Sequence, residues 1–217
     1  KIHLMSTLAI FANFFINDNE RLKELSLSLN SFYKSEINNW VINIRGKKKY
    51  EAKKILLKKI TKKKIKIFYL NSKEGWVHDS LIISKNLHTK YVFFWVEDHI
   101  CTGGIKYFNN IVKSLLKNNI DYFPYSWFFF KNNIRSINNL KPKQDKYIYY
   151  LNYSKSSHKK RLKFWKKNKI SLDIYIISCC SIMKTNLFKK ILKSKDKFFL
   201  KWDKKLPFNF EKDHNDY

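Results

Sequence analysis

YVFFWVEDH, running from Tyr91 to His99, is the stretch on which the fold turns. From Tyr91 to Val96 it is apolar or aromatic with no period-2 alternation, the pattern of a strand covered on both faces. Glu97, Asp98 and His99 follow at once, with no turn residue between. Two carboxylates are too costly to desolvate inside such a strand, so its polar end should open onto something that needs them. A cation, or a ligand bound through one, is the natural candidate. The plain alternative is that Asp98 caps a helix after Gly103–Gly104, with Glu97 and His99 in solvent.

Upstream of this stretch, strand and helix alternate. Ile2 to Ile10 reads as a first strand, followed by a loop from Phe11 to Asn19. Asn17 with Glu20 three residues on makes a capping box for a helix whose one face carries Leu22, Leu25, Leu29 and Phe32. Trp40 to Ile44 is a second strand, ending in Arg45–Gly46. Lys47 to Ile60 is a basic helix with an apolar stripe of Ala52, Ile55, Leu56 and Ile60. Ile65 to Leu70 is a third strand, and Gly75 opens a helix running to Leu87. Beyond the central strand, Ile105, Phe108, Val112, Leu115 and Leu116 mark another amphipathic helix, ended by Asn118–Asn119. This alternation over about 120 residues predicts an α/β fold, a mainly parallel sheet with helices on both faces. Ligands of such sheets bind beyond the carboxyl ends of the strands, where Glu97–His99, Arg45 and the loop after Ile10 all lie.

Downstream the pattern is less regular. Asp121 to Phe130 reads as a strand that Pro124 keeps at an edge or marks with a bulge, its aromatics packed in the core, with an acceptor groove or membrane contact as the alternatives. Asn132 to Lys146 is a polar loop, and Tyr147 to Tyr153 and Asp173 to Ser178 are further strands. Ser154 to Lys169 is strongly basic, a solvated face with anionic-membrane contact as the sharper alternative. Ser181 or Thr185 then caps a helix bearing Leu187, Phe188, Ile191 and Leu192. The tail returns carboxylates and a histidine, Glu211, Asp213 and His214, to an aromatic setting.

At 217 residues, 44% hydrophobic and 17% aromatic, the chain is expected to fold as one domain spanning residues 1–217. Its net charge of +28 resembles a nucleic-acid signature, but Arg21, Arg45, Arg135 and Arg161 are the only arginines among 45 basic residues. Lysine, asparagine, isoleucine, phenylalanine and tyrosine share A/T-rich codons, so a genome of low G+C content accounts for much of the lysine. Dedicated phosphate readers lean harder on arginine. Cys101, Cys179 and Cys180 form neither a disulfide framework nor a spaced zinc site, which points to a reducing, cytoplasmic compartment. The run from Leu4 to Ile16 is too short and too polar to span a bilayer. Lys1 is not an initiator and the chain stops at Asp216–Tyr217 without a closing element, so truncation at either end is expected.

GxSxG, P-loop, GxGxxG and HExxH motifs are all absent. What remains is the acidic strand end, the second group at Glu211, Asp213 and His214, and basic residues near strand ends. Carboxylates with one or two histidines suit Mg2+ or Mn2+, nucleotide phosphates completing the shell.

The order of elements, with ERLKELSLSLNSF, WVINI, IKIFYL, GWVHDSLIIS and TKYVFFWVEDH in succession, resembles the nucleotide-binding half of GT-A glycosyltransferases of the family 2 type. In that family an apolar strand ends in an acidic DxD motif that holds the divalent ion bridging the donor's diphosphate. Here Tyr91 to Val96 match the strand, and Glu97–Asp98–His99 take the acidic position. YIISCCSIMKTNLFKKIL resembles the acceptor-side segment. The resemblance implies one GT-A-like, Rossmann-like domain, with residues 2–120 as the nucleotide-sugar half and 121–217 as the acceptor half. It implies donor contacts from Thr7, Arg45, Gly75, Asp79, Glu97 and Asp98, and Mn2+ or Mg2+ on Glu97, Asp98, His99 and His214. It further implies a catalytic carboxylate, Glu211, with Asp213 as its substitute. Two departures stand out: EDH replaces DxD, and the second strand ends in Asn43–Ile44–Arg45–Gly46 instead of base-reading aspartates.

The function expected from this resemblance is transfer of a sugar from a nucleotide-activated donor to a hydroxyl of a cell-surface glycan, polysaccharide or lipid-linked. It would work in the cytoplasm, with peripheral contact to anionic membrane and no nucleic-acid partner. The rival is a basic nucleic-acid-binding protein, stacking aromatics on bases and lysines on phosphates.

Overall fold

Strand β1 (Leu8–Phe15) is apolar on both faces, and this double covering sets the architecture. Leu8, Ile10, Ala12 and Phe14 face one core cluster, and Ala9 and Phe11 face a second across the sheet. The computed structural model describes residues 7–61, 63–102, 104–124, 143–150, 163, 167 and 180–193. In chain order the elements after β1 are α1 (Asn19–Phe32), β2 (Asn39–Arg45), α2 (Lys49–Lys59), β3 (Lys64–Phe68), α3 (Trp76–Ser84) and β4 (Tyr91–Phe94). There follow α4 (Gly104–Lys117), β5 (Tyr122–Pro124), β6 (Lys143–Gln144), β7 (Tyr149–Tyr150), β8 (Ser181–Lys184) and α5 (Thr185–Leu192).

Six strands form one sheet in the order β3-β2-β1-β4-β8-β5. β3, β2, β1 and β4 are mutually parallel, and β8 runs antiparallel between β4 and β5. The expected α/β class, a mainly parallel sheet flanked by helices with Tyr91–Phe94 inside it, is what the chain forms. α1, α2 and α4 cover one face through Leu25, Leu29, Phe32, Ala52, Leu56, Phe108 and Val112. α3 and α5 cover the other through Trp76, Val77, Ile83, Phe188 and Leu192. From β1 the chain first builds outward through β2 to β3, then crosses back to lay β4 on β1's other side. The strand order therefore reverses between β1 and β4, and the crevice at their carboxyl ends is the topological switch point.

Several boundaries depart from the sequence reading, each for a physical reason. Phe11 to Phe15 is not loop but the carboxyl half of β1, because Asn13, which interrupts the apolar run, is paired inside the sheet. Asp18, not Asn17, caps α1, accepting from the Arg21 N–H at 2.9 Å. Asn17 instead accepts from the Lys47 N–H. Ser181 does not cap a helix: it starts β8, and Lys184 precedes α5 with no side-chain cap bond. Pro124 does lie on an edge strand, β5. Residues 125–130, the basic segment 154–169 apart from residues 163 and 167, the proposed strand 173–178 and the tail lie outside the described residues.

The turn after β2 locks onto the turn after β1. Ile16 N–H donates to Arg45 O at 2.9 Å and Lys48 N–H to Ile16 O at 3.0 Å. Gly46 lies between them at φ +95°, where a Cβ would sit 2.3 Å from Ile16 O. Only glycine meets both demands. Gly46→Ala should cost about 3 kcal/mol, read by calorimetry as a fall in Tm of roughly 10 °C. An unchanged Tm would mean that the two turns are not locked together.

Candidate functional site at the strand switch point

β4 leaves the sheet into a loop held by α1. Trp95 N–H still donates to Phe11 O at 2.9 Å, and its indole is buried edge-on against Phe14, Phe32 and Trp40. The indole N–H donates to Ser28 Oγ at 2.8 Å, and that hydroxyl donates in turn to His99 O. Cys101 N–H donates to Ser31 Oγ at 2.9 Å. Two serines one helical turn apart thus fix the backbone that follows Asp98, at His99 and Cys101, while the buried Trp95 ring anchors the chain before it. The turn is tightened by His99 N–H donating to Val96 O at 3.3 Å.

On that turn Glu97 is 7% exposed. Burial pushes its carboxyl up to about 7; the charges of Asp98 and Glu24 act in the same direction, and a backbone hydrogen bond and Arg21 act against it. Asp98 is more open. Burial alone would raise its carboxyl, but the hydrogen bond and charge of His99, with Arg21, hold it below the ordinary carboxylate range. His99 Nδ1 lies 2.7 Å from Asp98 Oδ1. Asp98 is thus engaged by His99 and Arg21, which is not the helix-capping alternative. Two adjacent carboxylates, one pushed up by burial and the other held down by His99 and Arg21, thus stand together at the mouth of β4.

The sequence reading missed Arg21. From the first turns of α1 its Nη1 lies 3.4 Å from Glu97 Oε1, 3.6 Å from Asp98 Oδ2 and 3.3 Å from Glu24 Oε2. An exposed-looking arginine on a charged helix gives no local signal of such a role.

A second group lies at the same edge on the α3 face. Asn13 accepts from Asn43 Nδ2 at 2.9 Å and from Arg45 Nε at 3.1 Å, and its own amide donates to Ser80 Oγ at 2.8 Å and Trp76 O at 3.2 Å. Trp76 Nε1 donates back to Asn13 O. Asn43 spends its amide on the chain itself, donating to Leu70 O and accepting from Leu70 N–H. It ties the loop after β3 to β2 and has no face left for a base. Arg45, 8% exposed, lies over the Phe15 ring. Gly75 precedes α3 at φ +96°, and Asp79 is buried in the helix's opening turns. Asp79 Oδ2 accepts from Ser72 N–H at 3.1 Å, while Oδ1 is buried without a hydrogen bond.

The sequence-derived residues are therefore divided. Glu97, Asp98 and His99 form one cluster beside α1, while on the α3 side Arg45 ends β2, Gly75 precedes α3 and Asp79 lies in its opening turns. Thr7 precedes β1, at the amino edge of the sheet, so the strand's full length separates it from the others. Glu211, Asp213 and His214 lie outside the described residues. Among the described residues no three His, Cys, Asp or Glu side chains are grouped tightly enough to hold a metal ion as they stand. The donor chemistry nevertheless suits a hard divalent ion: carboxylate oxygens from Glu97 and Asp98, and a buried Glu24 Oε2 with no hydrogen bond of its own. No helix among the described residues is long and apolar enough to cross a membrane.

Fold and site together define an α/β domain with an acidic, arginine-bridged site at the strand switch point. No family model and no curated protein matches the chain. Among solved structures it is similar to residues 1–349 of S. aureus TarS, at 12% identity and a TM-score of 0.49 over 89% of this chain and 54% of that one. The same fragment in complex with UDP gives 14% and 0.49 over the same shares, and with UDP-GlcNAc 13% and 0.42 over 54% and 33%. The 4-diphosphocytidyl-2C-methyl-D-erythritolsynthase from Anaerococcus prevotii DSM 20548 gives 12% and 0.49 over 88% and 78%. The chain spans about half the length of the TarS fragment, and 20% of the longer TarS chain.

Proposed function

We propose that this chain is a nucleotide-sugar transferase domain of the GT-A kind. One observation carries the reading: Glu97 and Asp98 stand side by side at the carboxyl end of β4, at the switch point, on a turn that Trp95, Ser28 and Ser31 hold in place. A buried carboxylate beside a more open one is poorly placed for folding alone and well placed for a polyvalent ligand. Asp98, with Glu97, would hold Mn2+ or Mg2+, which when bound neutralises charge on a leaving diphosphate. Arg45 would face the phosphates, held by Asn13. With Asn43 buried and its amide bonded to Asn13 and to the Leu70 backbone, base recognition falls to the α3 side, where Gly75 and the buried Asp79 belong.

The acceptor in this reading is a hydroxyl of a cell-surface glycan, polysaccharide or lipid-linked, and the lysine-rich surface provides peripheral contact with anionic membrane on the cytoplasmic side. The acceptor proton goes to Glu211, with Asp213 as its substitute and His214 on the metal.

The test is a turnover screen: nucleotide-activated sugars incubated with Mn2+, with release of nucleoside diphosphate as readout. Metal-dependent release from at least one donor is expected. No release from any donor, together with salt-dependent binding of single-stranded RNA, would favour the nucleic-acid reading.

A further inference from the structure

Lysine is concentrated on α2 and β3. Eleven of the twenty residues from Lys47 to Lys66 are lysine and one, Glu51, is acidic, in a chain with 45 basic residues among 217. A genome of low G+C content raises lysine along a whole chain, so it does not explain this density. α2 turns Ala52 and Leu56 into the core. Its opposite stripe, Tyr50, Lys54, Leu57 and Lys58, is exposed at spacings of four, three and one, with Lys47 and Lys59 exposed at the two ends. Within that stripe Tyr50 is 59% and Leu57 40% exposed. Lys49 Nζ lies 5.2 Å from the Tyr50 ring and 5.8 Å from that of Tyr69, and Lys53 Nζ 5.9 Å from Tyr69. The helix therefore carries apolar side chains on both faces, and the outer ones are ringed by lysine.

We propose that the outer face of α2 is the surface on which the protein lies against anionic lipid, with Tyr50 and Leu57 entering the headgroup region and Lys47, Lys54, Lys58 and Lys59 on the phosphates around them. The proposal rests on the functional reading for the presence of a membrane, and gives that contact a place. Two features select lipid over nucleic acid. Every basic residue from Lys47 to Lys66 is lysine, a point charge without the planar fork with which arginine reads single phosphates. An exposed leucine gains nothing on a sugar-phosphate backbone, whereas at a bilayer surface it enters the acyl boundary while lysine stems snorkel to the headgroups. The placement also suits the site. α1 and α2 cover the same face of the sheet, and Glu97 and Asp98 meet α1 through Arg21. α2 starts at the sheet's carboxyl edge, directly after the turn that Gly46 locks to Ile16. A lipid-linked acceptor would therefore arrive on the side of the sheet where the two carboxylates stand.

The test is co-sedimentation of the full chain with phosphatidylcholine vesicles, alone or containing about a third phosphatidylserine, at about 0.1 M salt. Wild type should bind the anionic vesicles at least tenfold more tightly than the neutral ones. Each lysine at such a surface is worth about fivefold, so Lys54→Glu with Lys58→Glu should weaken binding at least tenfold. Leu57→Ser, which leaves the charge unchanged at an exposed position, should weaken it several-fold. Lys85→Glu with Lys190→Glu makes the same change of charge at exposed positions on the opposite face, that of α3 and α5, and should stay within about twofold of wild type. No preference of wild type for anionic vesicles would overturn the proposal, as would an equal loss in the opposite-face variant, which reports net charge alone. Leu57→Ser binding vesicles as wild type does, with single-stranded RNA held as tightly as lipid, would overturn it in favour of a nucleic-acid surface. None of these readouts involves nucleotide: vesicle binding without nucleoside diphosphate binding removes the transferase reading alone, and the converse removes this docking face alone.

Discussion

Asp98→Asn should lower sugar transfer by about 10²–10³-fold while leaving the thermal transition within a degree or two of wild type. The magnitude follows from removing one charged group from the stabilisation of a leaving diphosphate, which costs about 3–4 kcal/mol in the transition state. Fold and function separate here because the Asp98 side chain is about one-third exposed, with His99 and Arg21 as its ion-pair partners. Asn keeps the size and loses the charge. The measurement is the initial rate of nucleoside diphosphate release, paired with calorimetry on the same samples. An active variant would leave Asp98 with the structural role of orienting His99. A variant that unfolds would show that the turn is part of the core.

Glu97 should make stability fall as the medium turns from acid to alkaline. Its carboxyl is raised from an ordinary 4.5 to about 7. A group with a raised folded-state value stabilises the fold fully below its unfolded value and loses that contribution as pH rises through the folded one. The window is therefore about pH 4.5 to 7, and the contribution lost is about 3 kcal/mol. Asp98 acts oppositely and elsewhere: its carboxyl lies below the ordinary 3.8, so its contribution disappears only in stronger acid. Because acid also raises repulsion in a chain already at +28, the clean quantity is the difference between wild type and Glu97→Gln. Denaturant titrations at pH 5 and pH 8 should show wild type losing about 3 kcal/mol more than the variant. Parallel pH profiles would mean that Glu97 is ionised at no cost.

The sheet was legible where its signals are local. Tyr91–Phe94 is apolar without alternation because helices cover it on both faces, and α1 and α4 carry the spacing of helices with one buried side. The acidic strand end could be placed because a parallel sheet fixes where carboxyl ends go. What escaped the reading depends on partners distant in sequence. Asn13 looks like a loop residue until Asn43, Arg45 and Ser80 are brought to it. β8 comes far along the chain to pair with β4, and no pattern within Ser181–Lys184 announces its insertion between β4 and β5. Arg21 and Glu24 resemble any solvated helical pair, and only the return of β4 beside α1 gives them a shared task. Thr7 falls at the opposite end of β1 from the site because that strand starts and ends later than its apolar pattern suggests.

If the switch-point carboxylates bind a nucleoside diphosphate through a divalent ion, diphosphate affinity must depend on both the ion and Asp98. The most direct test is calorimetry of nucleoside diphosphate binding to wild type and Asp98→Asn, each with Mn2+ and with excess chelator. Saturable binding of one diphosphate by wild type with Mn2+, weakened at least tenfold by chelator and by Asp98→Asn, is the expected result. Binding of equal strength in all four titrations, or none in wild type with Mn2+, would contradict the account.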